Sequence, residues 1–363
     1  MFTSLSWREH TLFTRVMKEK NPIALLINDI HVSKDNIAEF KVNWMEALSV
    51  CKKYGIEDII VGGDLWHSRS AQSLDVLLAV SGAIKEATDK GFNLTIAEGN
   101  HDKVNQESPY GYSHLFSEYP CVFVIDDYTI MDIGDDVVLY VMSYFPENGS
   151  FTERIKELSE TLDADKKNIL YIHEGIRGGL ATASDDELPA HLFSKFGTIL
   201  VGHYHNRKKI AGTNIEYIGS SRQNNFGEDE EKGYTILYDD GSYEFVKNNA
   251  NTRYMVIDVE LADMDEKFFN RLQEIKNEGR YKVKVRISCT TKESQTVDKQ
   301  RCIENGAVKL EFVTEQTQIQ LTEAQDISKK YDKSGIKQEY INFCDDRDIS
   351  NVELGLNYLN KIQ

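Results

Sequence analysis

Apolar and polar positions follow two rhythms along the first third of the chain. Pro22–Asn28 is an almost unbroken apolar run, the pattern of a strand buried on both faces. Asn36–Tyr54 places Ile37, Phe40, Trp44, Leu48 and Cys51 three or four residues apart, which predicts a helix. Asp58–Val61 reads as a strand running into Gly62-Gly63-Asp64. Ala71–Lys90 reads as a second helix stopped by Gly91. Phe92–Ala97 is a third strand, leading to Gly99-Asn100-His101-Asp102. Strands alternating with helices predict βαβ units in a layered α/β domain.

After Pro120 the texture turns to strands: Val122–Ile125, Val137–Met142, Ile169–Ile172, Thr198–Val201, Glu216–Ile218 and Tyr234–Leu237, with one helix near Phe151–Leu162. Asn248-Asn249-Ala250-Asn251 has the composition of a linker. A smaller α+β unit follows, with strands near Tyr254–Val259, Tyr281–Ser288 and Val308–Val313 and helices near Glu266–Asn277 and Ser294–Asn305. A polar stretch, Glu323–Gly335, leads to two short helices near Lys337–Phe343 and Val352–Ile362. The expected division is an N-terminal extension at 1–21, a main α/β domain at 22–250, an α+β domain at 251–322, and a linker with C-terminal helices at 323–363.

Composition narrows the class. The 363 residues are 40% hydrophobic and 28% charged, which fits a globular protein and excludes disorder throughout. No apolar run approaches the roughly 20 residues of a membrane span, and Arg8, Glu9 and His10 stand where a secretory signal needs an apolar core. The five cysteines are scattered and form no C-x-x-C pair, so a cytoplasmic setting without disulfides is expected. Net charge is −17. Residues 1–250 hold 24 basic and 39 acidic side chains, a balance of −15; residues 251–363 hold 18 and 20, a balance of −2. So acidic a first segment argues against nucleic acid unless it collects cations.

The residues just past the expected strands supply such a site. They are Asp29-Ile30-His31, Gly63-Asp64, Gly99-Asn100-His101-Asp102, His173, and Gly202-His203-Tyr204-His205. In open α/β sheets ligands gather at the carboxyl ends of strands. On an extended strand, Asp29 and His31 would leave one face together, as would His203 and His205. The set Asp29, His31, Asp64, Asn100, His173, His203 and His205 is two carboxylates, one amide and four imidazoles, without a thiolate. Such donors suit Mn²⁺, Fe or Zn²⁺. Seven ligands exceed one tetrahedral ion and suit a pair, the arrangement that clamps the two oxygens of a phosphoryl transfer. His10, His114 and His191 stand outside these clusters and read as ordinary packed or capping residues.

In this order, D-x-H, G-D, G-N-H-D, H and G-H-x-H resemble the calcineurin-like metallophosphoesterases. The second motif, Gly63-Asp64-Leu65-Trp66-His67, together with G-N-H-D, is similar to the SbcD-type nuclease subunit and its relatives, the meiotic-recombination nuclease and the phage exonuclease subunit. Tyr217-Ile218-Gly219-Ser220-Ser221, Asn225-Phe226-Gly227-Glu228 and Lys232-Gly233 resemble the G-S-P…S-F-x-E…K-G block of that group. The motifs span about residues 23–240. Val32-Ser33 follow the first motif where x-G is usual, and Ser221 replaces the block's proline; neither change removes a ligand. The resemblance implies a layered β-sandwich flanked by helices, with a smaller α+β capping domain. It implies one divalent ion on Asp29, His31 and His205, a second on Asn100, His173 and His203, and Asp64 bridging, with Mn²⁺ the expected metal. It implies His101 as general acid and a metal-activated water as nucleophile, with His67 steering the substrate.

By the same resemblance the chain would be a 3′–5′ exonuclease and single-strand endonuclease of DNA end processing, repair or recombination. Its partners would be an SbcC-like ABC ATPase with a coiled coil, docked by the C-terminal helices, and a second copy of the chain, through Leu74, Leu77, Leu78 and Ile84. The strand Tyr281–Ile287 alternates, with Lys282, Lys284 and Arg286 on one face; this is a stripe to track DNA phosphates or a charged, solvated edge. A phosphomonoesterase or small-molecule phosphodiesterase of the same fold is the alternative activity.

Overall fold

The computed structural model describes residues 20–105, 108, 110–134, 136–145, 150–180 and 187–314, and positions 340, 344, 352, 355 and 356. They form two compact units that divide between Asn251 and Thr252. Most of the expected N-terminal extension and C-terminal helices lie outside the described residues.

The first unit begins with β1 (Pro22–Ile27), α1 (Ile37–Tyr54), β2 (Asp58–Gly62), α2 (Leu74–Asp89), β3 (Asn93–Ala97) and β4 (Val122–Ile125). It continues with β5 (Tyr128–Gly134), β6 (Val137–Met142), α3 (Ser150–Glu160), β7 (Lys167–His173), β8 (Thr198–Gly202), β9 (Lys208–Lys209) and β10 (Ile215–Tyr217). β11 (Gly233–Tyr238) and β12 (Tyr243–Lys247) complete it. Two six-stranded sheets result, ordered β12-β11-β1-β2-β3-β4 and β5-β6-β7-β8-β10-β9.

The continuous apolar runs follow from burial on both faces. Leu25 and Ile27 of β1 join the layer containing α1 and α2, while Ala24 and Leu26 join Leu139, Val141, Tyr171 and Leu200 of the opposite sheet. The second sheet's other face packs on α3 through Phe151, Ile155 and Leu158. The architecture is therefore helices, sheet, sheet, helix, a β-sandwich with α layers outside. Within it β1, β2 and β3 are mutually parallel, as are β7 and β8. The carboxyl ends of β2 and β7 nearly touch: a Cβ at Gly63 would lie 2.5 Å from His173 Nδ1.

Local chemistry shifts several expected boundaries. α2 starts at Leu74 rather than Ala71, because the Ser73 hydroxyl accepts the Val76 N–H and caps the helix. β5 and β12 escape the sequence pattern because they are edge strands with mixed polar and apolar residues. The helix expected at Ser294–Asn305 is broken. A short 3₁₀ turn, Glu293–Gln295, precedes α5 (Lys299–Glu304), which Asp298 caps by accepting the Arg301 N–H.

Asn248–Asn251, the expected linker, closes the first unit as a knot of hydrogen bonds. Asn248 Nδ2 donates to Ser221 O at 3.2 Å and to Asn251 Oδ1 at 2.8 Å, and Asn251 Nδ2 donates to Glu39 O at 2.9 Å. The departure at Ser221 belongs to this network. Its hydroxyl donates to Asn43 Oδ1 at 2.8 Å on buried α1. Ser221→Ala should leave that amide oxygen unsatisfied and lower stability by about 1–3 kcal/mol, measured by urea unfolding.

The second unit runs β13 (Arg253–Glu260), α4 (Glu266–Glu278), β14 (Tyr281–Ser288), α5 and β15 (Ala307–Val313). Its three strands are parallel, with β14 in the middle. Val283, Val285 and Ile287 face Phe269, Leu272 and Cys302 in its core. The charged-edge reading of Lys282, Lys284 and Arg286 is thereby corrected: the strand is central, and its polar face is laced to both neighbours. Lys284 Nζ lies 2.7 Å from Glu311, and Arg286 lies 3.2 Å from Asp258. Among the described residues no helix is long and apolar enough to cross a membrane.

Candidate metal centre

The expected clusters lie just past Ile27 of β1, Gly62 of β2, Ala97 of β3 and Gly202 of β8, and His173 is itself the last residue of β7. The extended geometry expected for Asp29 and His31 is not what aligns them. Their φ angles are 53° and 50°, and Asp64 and His203 are also left-handed, at 51° and 93°. Left-handed backbone costs a residue with a Cβ roughly 1–2 kcal/mol. Here the surrounding hydrogen bonds impose it. Asp29 N–H donates to Gly63 O at 3.1 Å, His31 N–H to Asp64 O at 2.9 Å and Val32 N–H to Leu65 O at 2.8 Å. The first two ligand loops are thus zipped together, and winding, not pleating, turns their side chains inward.

Two groups of donors form. One is Asp29, His31 and His205; the other is Asp64, His173 and His203. Asn100 joins the second, its Oδ1 3.3 Å from His203 Nδ1. Asp64 lies between them: its Oδ2 is 3.4 Å from His31 Nε2 and 3.3 Å from His173 Nε2. His31 Nε2 and His205 Nε2 face one another at 3.0 Å. The seven residues selected from the sequence therefore converge on one place.

The donors fit divalent cations on their own evidence. His173 Nδ1 donates to Gly62 O at 3.1 Å, which turns the buried Nε2 to the Asp64 carboxylate, 3.3 Å away. Burial pushes the His31 imidazole down to about 3 and that of His203 down to about 4, so both are neutral at pH 7 with lone pairs available. Burial opposes charge on Asp64 and His173 too. Their mutual attraction outweighs it, holding the carboxyl low and the imidazole high. Carboxylate, imidazole and amide donors without sulfur suit borderline-hard divalent metals.

His101 and His67 stand beside this cluster. His101 backbone N–H donates to Asp64 Oδ1 at 2.9 Å, and its ring Nδ1 donates to His67 O at 2.7 Å. That contact leaves Nε2 for proton transfer. The His101 ring centroid is 4.9 Å from that of His31, and the His67 ring is 6.1 Å from His101. A cavity of about 490 Å³ adjoins His203 and His205, lined also by Tyr204, Asn206, Lys208 and Asn225. Lys282, Lys284 and Arg286 belong to the second unit. His114 pairs with Asp126 at 3.0 Å, an ordinary surface contact.

Several supporting residues have no role that their sequence context assigns. Asp102 accepts the Gly99 N–H at 2.6 Å and the Trp66 N–H at 2.9 Å, binding the second motif to the third. Asn28 donates to the Asp29 carboxylate and to Gly219 O, and accepts from the Tyr171 hydroxyl at 3.0 Å. Glu228 accepts from His205 Nδ1 at 2.7 Å. All three stand in or next to the ordered motifs, their only trace in the sequence.

No protein-family model matches the chain. "Putative phosphoesterase 078R" of Invertebrate iridescent virus 3 is 24% identical over 276 residues, covering 74% of this chain and 75% of that protein. The SbcD subunit of the SbcCD nuclease of Staphylococcus epidermidis is 31% identical over 97 residues, covering 24% of this chain and 26% of that protein. DNA double-strand break repair protein Mre11 of Sulfolobus acidocaldarius is 23% identical over 232 residues, covering 61% of this chain and 60% of that protein. The chain thus aligns with about a quarter of the SbcD subunit and three fifths of Mre11. In its ordered motifs and layered sandwich the chain is similar to these phosphoesterases and nuclease subunits, and its two donor groups could hold divalent metal.

Proposed function

We propose that the chain is a DNA nuclease, a 3′–5′ exonuclease and single-strand endonuclease working with an SbcC-like ABC ATPase on DNA ends. The observation that supports it most is the pair of donor groups sharing Asp64, with His101 and His67 alongside. Asp29, His31 and His205 would hold one ion, Asn100, His173 and His203 the other, and Asp64 both; Mn²⁺ fits these donors. Bound there, the two ions would offset phosphodiester charge and lower the pKa of an attacking water. His101, fixed by the His67 carbonyl, would protonate the leaving oxygen. His67, whose ring lies 6.1 Å from that of His101, would meet the substrate beside this acid.

A second copy of the chain would pack on α2, where Leu74 and Leu78 are exposed while Ile84 is buried and Leu77 packs on the core. Lys282, Lys284 and Arg286 remain the proposed DNA stripe, with part of their charge already offset by Glu311 and Asp258. The ATPase would dock on the C-terminal segment. Deleting the residues after Gln325 should spare Mn²⁺-dependent cleavage of short single strands and abolish co-purification with the ATPase. The test of function is incubation of the purified chain with labelled single-stranded, duplex and hairpin DNA and Mn²⁺, beside bis-p-nitrophenyl phosphate. Cleavage of DNA, abolished by a chelator, is the expected result. Turnover of the nitrophenyl diester or of phosphomonoesters alone would replace the nuclease with a small-molecule phosphoesterase.

A further inference from the structure

One segment that supplies no metal ligand grips three of them. Between Gly219 and Gly233 the chain carries two almost wholly buried cations, Arg222 and Lys232, and a carboxylate, Glu228, whose side chain is 6% exposed. Arg222 donates to Ile30 O at 3.0 Å and lies 3.5 Å from His31 O. Asn224 Nδ2 donates to Asp29 O at 3.1 Å. Lys232 Nζ donates to His205 O and to Asn206 Oδ1, both at 2.7 Å. Glu228 accepts from His205 Nδ1. Every one of these contacts falls on the loops carrying Asp29, His31 and His205; the last of these loops also carries His203, but none of the contacts is made to His203, Asp64, Asn100 or His173.

On the dimetal reading above, we infer that Glu228 is a positioning residue which, with Lys232, sets His205 to bind the ion of the Asp29–His31–His205 group and leaves the other ion's site independent. Its chemistry is that of donors and acceptors. Glu228 Oε1 takes His205 Nδ1 and Asn225 Nδ2, each at 2.7 Å, and Oε2 takes the Asn224 N–H at 2.9 Å. All three partners donate, which an acceptor-only carboxylate satisfies. With Nδ1 donating, the His205 ring presents its Nε2 lone pair to the ion. A glutamine cannot reproduce this. With its oxygen toward His205, its NH₂ meets the Asn224 N–H; reversed, its NH₂ favours the opposite His205 tautomer and a proton on Nε2. Lys232 fixes the other end of the same residue through the backbone carbonyl.

The test is calorimetric titration of the metal-free full chain with Mn²⁺, comparing wild type, Glu228→Gln and Glu228→Asp. Wild type should bind two ions. Glu228→Gln should weaken one ion by roughly 10–100-fold, the usual effect of losing an outer-shell partner of a metal-bound histidine, and leave the other unchanged. Glu228→Asp, which keeps a carboxylate, should recover part of the loss. The ¹⁵N chemical shifts of the His205 ring in the metal-free chain should report the tautomer change in the glutamine variant. Circular dichroism establishes folding; should Glu228→Gln not fold, Lys232→Met releases the His205 carbonyl and carries the same one-ion expectation. Two ions bound with wild-type affinity, or both weakened alike, would overturn the inference while sparing the dimetal reading. Wild type binding no ion would overturn both.

Discussion

His101→Asn should slow DNA cleavage by roughly 10²–10⁴-fold, the range for losing a positioned acid, while both ions stay bound. That is about 3–5 kcal/mol of transition-state stabilisation at 1.36 kcal/mol per decade. Asparagine is of similar reach but has no group that carries a proton at neutral pH. The seven proposed ligands are untouched, and the backbone N–H at this position still donates to Asp64 Oδ1. DNA binding should therefore persist. The sharper expectation is a contrast between substrates. A nitrophenyl diester has a leaving group that needs little protonation, so its hydrolysis should fall far less than that of DNA. Equal losses on both, with metals retained, would give His101 a positioning or electrostatic role instead.

Asp64→Asn should have the larger effect on the centre itself. Its carboxylate lies within 3.4 Å of imidazole nitrogens from both donor groups. On the proposed dimetal reading, removing its charge would take a ligand from both ions and leave less negative charge between them. The loss of affinity should exceed the 10–100-fold expected of an outer-shell change. Desalted protein should retain fewer than two ions, and cleavage should fall to the chelator-treated background. The amide still offers an oxygen to the His101 N–H, so the fold should survive, as circular dichroism would show. Retention of two ions with cleavage intact would remove Asp64 from the bridging position.

The layered α/β domain is legible in the sequence because its strands are buried on both faces and so read as unbroken apolar runs, as in Leu25–Ile27 and Val137–Met142. The edge strands β5 and β12 have one open face and mixed residues, and the apolar pattern misses them. The seven ligand candidates are readable because each stands at the end of a strand or within four residues of it. Their alignment is not: pleating accounts for neither Asp29 nor His31, which left-handed turns direct inward. Backbone handedness at an aspartate or histidine leaves no periodic trace in a sequence. The grip of Arg222 and Asn224 on the first ligand loop is equally hidden. It joins positions 192 and 195 residues apart, which the pairing of β1 with β11 brings together.

A two-ion phosphoester hydrolase must hold two ions per chain, so counting them while following cleavage tests the dimetal centre most directly. Metal-free protein titrated with Mn²⁺, with cleavage of a labelled single-stranded oligonucleotide followed at each addition, should bind two ions per chain. Cleavage should appear as the pair fills and vanish with chelator. Saturation at no ion or at one, or cleavage that continues unchanged in chelator, would contradict it.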